Sequence, residues 1–531
     1  MTDRTNRREF LGTAAVAGAG LAMSAKVKGR GLAEAAFDIE EASVADLRDA
    51  MASGKATARA ITQAYLKRIA DVDKKINSII ELNPDALGIA DELDRERKAG
   101  RVREPLHGIP VVIKDNIDTA DKMKTTAGSL ALVDSPSPVE DSAVARQLRA
   151  AGAVILGKTN LSEWANFRSN NSSSGWSGRG GQTRNPYILD RNPCGSSSGS
   201  AAAVAASLAT VGIGTETDGS VICPSSICGI VGVKPTVGLV SRSGIIPIAH
   251  TQDTAGPMTR TVEDAAILLS ALTSTDDKDS ATSVPGRRTE SDYTKFLDKG
   301  GLKGARIGIA RDYWERNERV DGVLNEALEA LKAGGAELFD VKFETFRQFG
   351  DAEYQVLLYE FKADLNKYLA NRGSKYKTLA DLIKFNEDNK EKEMRYFGQD
   401  IFIEAEKKGH LTSDEYVQAL KKCRMMSREK GLDAALDGQK LDAIVGPSNA
   451  PTWMVDLVNG DCGSGYIGSS QFPAVSGYPN ITVPFGFIKE LPIGVSFMGG
   501  AWQEPKLFRI AYAFEQLTKG RRKPKYLATY S

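Results

Sequence analysis

The sequence predicts a single large α/β domain in which a central, mixed β-sheet is covered by helices on both faces. Short apolar runs typical of buried strands alternate with segments of helical periodicity along most of the 531 residues. Apolar residues make up 41% of the chain and charged residues 26%, which is typical of a soluble globular protein. A chain of this length could also hold about three to four average domains. However, the polar connection over 273–300 gives no reason to place a domain boundary there.

The first half of the chain begins with a helix whose start, residues 43–46, resembles a capping box. Asn160 and Glu163, three residues apart, predict a further helix start that carries Trp164. Residues 169–200 are rich in Ser, Gly and Asn and lack a hydrophobic period, so this segment is either disordered or a functional loop. The other segments predicted here are helices around 61–69 and over 143–151 and 201–209, and strands over 106–113, 154–156 and 211–213.

The second half of the chain repeats the strand–helix–strand order, which favours a mostly parallel or mixed sheet. The predicted strands are 307–309, 338–341, 441–445, 481–484 and 493–497, and the predicted helices are 323–331 and 505–518.

The first 35 residues have a different character. Arg7 and Arg8 precede Phe10 and Leu11, and an uncharged run rich in Ala and Gly then extends to Ala25. The run is too short to remain in a bilayer as a spanning helix. The pattern predicts a twin-arginine export signal over residues 1–35, a mature domain over 36–531 and a periplasmic or extracellular location. Cleavage would follow residues 22–24 or 33–35, and a disordered basic tail is the alternative interpretation.

Charge and cysteine content exclude several classes of partner. The net charge of +1 provides no basic field for nucleic acid or anionic lipid, so we expect no nucleic-acid partner and no stable membrane insertion. The five cysteines are too few and too scattered for a disulfide framework, and we expect Cys194 and Cys223 to be packing thiols. Cys223 and Cys228 lack partners at zinc-ligand spacing, so no metal or cofactor is predicted. The composition favours a monomer.

Three residues in short motifs carry the predicted chemistry. Lys114 ends the apolar stretch 108–113, Ser196 lies in a Gly/Ser-rich loop, and Ser220 follows a glycine-containing turn. Amide hydrolysis by acyl transfer needs a nucleophile, a proton shuttle and an oxyanion site. We predict Ser220 as the nucleophile, Ser196 as the bridge, and Lys114 as a base whose pKa is lowered by burial from its usual value of about 10.4.

The turn before Ser220 is the predicted oxyanion hole. Its donors would be the backbone N–H groups of Thr217, Asp218, Gly219 and Ser220. Two further residues are candidates for substrate binding. Asn166 either packs and caps or hydrogen-bonds the substrate main chain, and Ser197 is the second candidate.

These motifs, in this order, resemble the amidase signature family from about residue 40 to residue 515, including the stretch 229–236. The resemblance implies the amidase signature fold and a triad formed by Lys114, by Ser196 in a cis peptide, and by the nucleophile Ser220. Within the family, the chain looks like the bacterial peptide amidases, and this resemblance implies hydrolysis of the C-terminal carboxamide of a peptide to a carboxylate and ammonia. The segments that carry this closer resemblance are 158–167, 180–187, 252–258 and 357–362.

The chain departs from the family pattern at two positions. Many members carry two glycines before the nucleophile, where this chain has Asp218 and Gly219. The carboxylate could repel an oxyanion or accept a hydrogen bond from the substrate NH2 group, and we expect the second. Cys194 and Gly195 replace another pair of glycines, with little expected consequence.

Other functions fit the sequence less well. Residues 195–199 also match G-x-S-x-G with Ser197 as nucleophile, but only His250 and His410 follow and a long polar loop precedes the motif. Within the family, the alternatives are the glutaminase-type subunit of a tRNA-dependent amidotransferase, which is cytosolic, and an amidase of aliphatic or aryl amides. In a non-catalytic binding protein, a buried Lys114 without a role would be costly. The side-chain preference stays open.

Overall fold

Eleven strands form one mixed β-sheet in the unit that comprises Ile39–Ser531. The computed structural model describes residues 37–462 and 467–530. The predicted export signal lies outside these residues, in a separate unit, Met1–Asp38. No helix in the described ranges is both long enough and apolar enough to cross a membrane.

The strands are short and begin soon after the first helices. Within the described residues they are β1 (Ile79–Leu82), β2 (Pro110–Lys114), β3 (Val154–Thr159), β4 (Trp176–Ser177), β5 (Gly181–Gln182), β6 (Val211–Glu216), β7 (Val231–Lys234), β8 (Thr254–Thr259), β9 (Arg306–Ala310), β10 (Glu337–Val341), β11 (Ala443–Pro447), β12 (Asn480–Ile488) and β13 (Leu491–Met498).

The helices occur between most of these strands. They are α1 (Val44–Ala52), α2 (Ala58–Ile76), α3 (Ala86–Lys98), α4 (Ala143–Ala150), α5 (Ser198–Ala205), α6 (Ile222–Ile227), α7 (Val262–Ser270), α8 (Glu318–Ala333), α9 (Gly350–Asn371), α10 (Leu379–Asp388), α11 (Lys390–Glu393), α12 (Asp400–Glu406), α13 (Asp414–Arg424), α14 (Asp433–Gly438), α15 (Gln471–Ser476) and α16 (Glu504–Thr518).

The sheet mixes parallel and antiparallel pairs, and helices cover its faces. Its strand order is β1-β3-β2-β6-β8-β7-β12-β13-β11-β9-β10. The neighbours of β2 on both sides are parallel to it, and β9 is parallel to β10 and β11, whereas the other pairs are antiparallel. All five residues of β2 are buried, as expected for a parallel strand covered on both faces. The predicted fold class is confirmed.

An apolar cluster packs α9 and α12 against the loop that follows β3. Phe361 of α9 and Phe402 of α12 are buried together with Trp164 and Phe167. The rings of Trp164 and Phe402 meet edge to face with centroids 5.7 Å apart. This packing places the helical layer over the loop that follows β3.

The predicted helix start at Asn160 and Glu163 is wrong. Residues Glu163–Asn166 form only a short turn, in which Trp164 and Ala165 have left-handed backbone angles. The Glu163 carboxylate does not cap a helix, because it pairs with Arg168 at 3.1 Å and accepts from the N–H of Gly178 at 2.6 Å. The following polar segment is an ordered loop that contains the β4–β5 hairpin.

Gly199 sets the position of the serine loop, because its lack of a side chain allows a close backbone approach. A Cβ atom at this position would lie 2.4 Å from the carbonyl oxygens of both Asn160 and Ser78. The N–H of Gly199 donates to the Asn160 carbonyl at 2.9 Å. The start of α5 is thereby fixed against the ends of β1 and β3.

We predict that Gly199→Ala lowers the free energy of unfolding by about 1–3 kcal/mol, the usual cost of overpacking. Gly88→Ala is the matched control, because Gly88 lies in α3 with no atom within 4 Å of an added Cβ, and it should stabilise the protein by about 1 kcal/mol. Thermal denaturation of both variants checks this. An unchanged melting temperature for Gly199→Ala would contradict the proposed close approach.

Candidate active site

The site lies at one edge of the sheet, where two neighbouring parallel strands end. Lys114 is the last residue of β2, and Glu216 is the last residue of β6. The two strands pair in parallel through Ile113 and Ile213. Since the carboxyl ends of parallel strands meet at the same edge, Lys114 lies beside the turn that leads to Ser220.

Lys114 is fully buried and surrounded by uncharged acceptors. Its Nζ donates to Ser196 Oγ at 2.8 Å, to Thr215 Oγ1 at 2.8 Å and to the Thr215 carbonyl at 3.2 Å. Burial lowers the pKa of Lys114 to about 7, although the nearby Asp253 and Glu216 act in the opposite direction. The lysine can therefore be neutral at physiological pH, as a general base must be.

Ser196 lies in a loop whose backbone is tied to the sheet. The peptide bond between Gly195 and Ser196 is cis. The Ser196 carbonyl accepts from the N–H of Ser162 at 3.1 Å. The hydroxyl of Ser197 donates to the Thr215 carbonyl at 3.0 Å and accepts from the Thr215 N–H at 3.2 Å. Ser197 is fully buried, so the structure places it between the loop and β6.

The Ser220 turn is shaped by Glu216 and Gly219. Glu216 Oε2 accepts from the N–H groups of Val221 at 2.7 Å and Ile222 at 2.9 Å. Gly219 has φ +74°, a left-handed conformation that favours glycine. Within the described ranges, no protein acceptor takes the N–H groups of residues 217–220, so all four predicted donors are available to an oxyanion.

The two loops meet through their backbones, since the N–H of Ser197 donates to the Ser220 carbonyl at 3.2 Å. The hydroxyl groups of Ser196 and Ser220, which both belong to the described part of the chain, are not hydrogen-bonded to each other. Such contacts are often long in a site without substrate and tighten when it binds.

A cavity of about 510 Å³ opens in front of Ser220. Thr217, Asp218 and Gly219 line it together with Asn166. Asn166 also donates to Ser174 Oγ at 3.0 Å. The structure thus brings Asn166 to the cavity wall with the predicted oxyanion turn, whereas Ser197 lies outside the wall.

The family model described as Amidase matches residues 60–508. The chain belongs to the amidase signature family. It is an enzyme that hydrolyses amides.

Relatives of this amidase share nearly its whole length. The peptide amidase from Stenotrophomonas maltophilia is 49% identical, with a TM-score of 0.88, over 92% of this chain and 99% of that chain. A probable amidase of Arabidopsis thaliana is 41% identical over 93% of each chain. A glutamyl-tRNA(Gln) amidotransferase subunit of Thermoanaerobacter pseudethanolicus is 34% identical over 92% of this chain and 99% of its own.

The expectation that Cys194 and Cys223 are packing thiols is wrong, because the amidase has a disulfide between them. Their Cα atoms are 6.1 Å apart, and 29 positions separate them in the sequence. Cys194 precedes Ser196 by two residues and Cys223 follows Ser220 by three, so the bond ties together the two serine loops. Scattered cysteines gave no spacing signal for this pair, because the contact depends on the tertiary fold.

One group of potential metal ligands occurs among the described residues, outside the Ser220 cavity. His250, Glu360 and Asp364 have donor atoms within 4.8 Å of one another. His250 Nδ1 lies 2.8 Å from Asp364, and Glu360 accepts from Thr251 and Tyr416. Protein groups already engage these atoms, and the absence of a metal cofactor stays a prediction.

Sequence reasoning missed two acidic residues near the cavity. Asp461 lines it and accepts from the N–H of Ser174 at 3.0 Å and from Trp453 Nε1 at 3.0 Å. Glu353, on α9, hydrogen-bonds the side chain of Asp218. Neither residue follows a strand or belongs to a motif, so only the tertiary structure reveals them.

Proposed function

We propose that this amidase removes the C-terminal carboxamide nitrogen of peptides through an acyl-enzyme on Ser220. The observation that carries the proposal is the fully buried Lys114, which donates to Ser196 at 2.8 Å beside the loop that contacts Ser220. A neutral lysine, a bridging hydroxyl and a serine that lines a cavity constitute a base, a relay and a nucleophile.

Acylation begins with the attack of Ser220 Oγ on the carbonyl carbon of the carboxamide. The Ser220 proton passes to Ser196, and the Ser196 hydroxyl gives its own proton to Lys114 Nζ. The lysine becomes charged only as the tetrahedral intermediate forms. The burial of Lys114, which disfavours its charged form, then favours return of the proton.

The oxyanion is bound by the backbone N–H groups of residues 217–220. Each such donor contributes about 3–4 kcal/mol to transition-state stabilisation. Glu216 supports this arrangement, because its two bonds to Val221 and Ile222 hold the end of the turn.

Collapse of the intermediate breaks the carbon–nitrogen bond. The proton held by Lys114 returns through Ser196 to the nitrogen, which leaves as ammonia. A water molecule then attacks the ester on Ser220 and gives its proton to the same relay. The product is a free carboxylate, and Ser220 regains its hydrogen.

The peptide substrate is favoured over the other amides of the family. Identity to the peptide amidase is 49%, against 34% for the amidotransferase relative. The cavity of about 510 Å³ has room for more than a simple amide group. Asn166 and Trp453 on its wall offer a polar and an aromatic contact for a peptide chain.

We predict that the purified mature enzyme releases ammonia from a C-terminally amidated dipeptide and leaves the internal peptide bond intact. Ser220→Ala should lower this rate by at least about 10⁴-fold, because the nucleophile is removed. An ammonia assay with product mass analysis measures both.

Ser225→Ala is the matched control for the loss of a hydroxyl. Ser225 is buried on the adjacent α6, and its hydroxyl has no hydrogen-bond partner among the described residues, so its loss should leave the rate nearly unchanged. Activity on simple aliphatic or aryl amides alone would contradict the peptide substrate. Full activity of Ser220→Ala would contradict the mechanism.

We also propose export by the twin-arginine route, with the mature domain beginning near residue 36. The support is the Arg7-Arg8 motif with its weakly apolar run, together with the Cys194–Cys223 disulfide, since disulfides persist in oxidising compartments.

We predict that Arg7→Lys with Arg8→Lys retains the protein in the cytoplasm of a bacterial host that has the twin-arginine translocase. Wild-type protein should be recovered in the periplasm with Cys194 and Cys223 protected from alkylation, whereas the retained variant should be alkylated at both. Cell fractionation and peptide mass mapping report location and thiol state. Equal distribution of the two proteins would argue against this route.

A further inference from the structure

A second carboxyl group lies against the nucleophile turn. Glu353 contacts the side chain of Asp218 at hydrogen-bonding range, and Asp218 lines the cavity in front of Ser220. Two carboxyl groups in contact inside a protein do not both remain charged. One proton therefore lies between them.

Glu353 is held in place by two amide groups from other elements. Gln252 Nε2 donates to Glu353 Oε1 at 3.1 Å, and Gln471 Nε2 donates to Oε2 at 2.9 Å. The same Gln252 nitrogen reaches the Thr217 carbonyl at 3.3 Å, which connects this arrangement to the nucleophile turn. Both amides are donors, so neither can accept the proton of Glu353.

The proton belongs mainly to Glu353. Burial and the adjacent Asp218 raise the pKa of Glu353 to about 8, and burial also raises the pKa of Asp218. The side chain of Asp218 also hydrogen-bonds that of Ser470. Its Oδ1 atom is buried and has no hydrogen-bond donor among the described residues, and the protonated carboxyl of Glu353 can supply one. With one proton shared and held mainly by Glu353, the negative charge of the pair lies mainly on Asp218, beside the cavity.

We propose that Asp218 accepts a hydrogen bond from the N–H of the scissile carboxamide and that Glu353 is the positioning residue that holds Asp218 for this contact. The inference rests on the proposed function and deepens it, since it assigns the selection of primary amides. A carboxylate repels the oxyanion but attracts the hydrogens of a carboxamide, so its favourable effect falls on the leaving nitrogen. An ester oxygen has no hydrogen to donate, so an ester substrate gains no stabilisation from Asp218.

The test compares a peptide amide with the methyl ester of the same peptide, because both form the same acyl-enzyme. We expect Asp218→Asn to lower kcat/KM for the amide roughly 10- to 100-fold more than for the ester, the range for losing a hydrogen bond to a charged group. An equal fall for both substrates, or an unchanged amide-to-ester ratio, would overturn the proposal. Asp218→Gly gives a second measurement of the ratio if the asparagine variant is unstable.

Two further variants separate positioning from general structural damage. Glu353→Gln still offers Asp218 an N–H donor and should keep the amide-to-ester ratio within about threefold of wild type, whereas Glu353→Ala should lower it roughly tenfold. Equal ratios in these two variants would remove the positioning role of Glu353. Asp264→Asn is the control, since Asp264 is a buried carboxyl on α7 that caps Val44, and its ratio should match wild type.

Failure of this inference is distinguishable from failure of the proposed function. If the wild-type enzyme does not hydrolyse the peptide amide, the peptide substrate is refuted. The same ratio is then measured on a simple primary amide and its methyl ester, and it still decides the role of Asp218.

Discussion

The site depends on one physical constraint, the burial of the Lys114 amine among uncharged partners. Holding this lysine neutral near pH 7 corresponds to about 5 kcal/mol relative to a free lysine. The unfolded chain binds the proton that the folded chain gives up, so the lysine destabilises the fold at neutral pH. This cost shrinks as the pH rises from about 7 toward the ordinary lysine pKa of about 10.4. The rest of the structure must offset that cost.

The loops around Lys114 are held by several independent restraints. The Cys194–Cys223 disulfide closes 29 positions of chain, which in the chain-entropy account stabilises the fold by about 3–4 kcal/mol. Thr215 accepts from Lys114 and exchanges two hydrogen bonds with Ser197. Together with Gly199 against the β1 and β3 ends, these contacts fix both serine loops on the sheet. The geometry is therefore set by the scaffold before substrate arrives, as oxyanion stabilisation requires.

Local patterns predicted the parts of the fold that local chemistry determines. Motif and order were enough to locate Lys114 at the end of an apolar strand, the Gly/Ser-rich loop of Ser196 and the turn before Ser220.

The prediction failed where distant parts of the chain decide the outcome. Glu163 was expected to begin a helix, but its ion pair with the buried Arg168 holds a left-handed turn instead. The strands β7 and β8 were not predicted. The disulfide and Glu353 were missed for the same reason, because each joins segments that meet only in the folded sheet. The monomeric state and the export route stay predictions.

The measurement that tests the account most directly is the pH dependence of covalent labelling of Ser220 by a fluorophosphonate. A fluorophosphonate carries its own leaving group, so the rate of labelling reports on the nucleophile and its base and does not depend on the substrate pocket. The account predicts that the label maps to Ser220, that its rate rises with pH through a midpoint near 7, and that Lys114→Met abolishes the rise. A rate that is independent of pH between about 6 and 9, or equal labelling of Lys114→Met, would contradict the role of a neutral buried lysine.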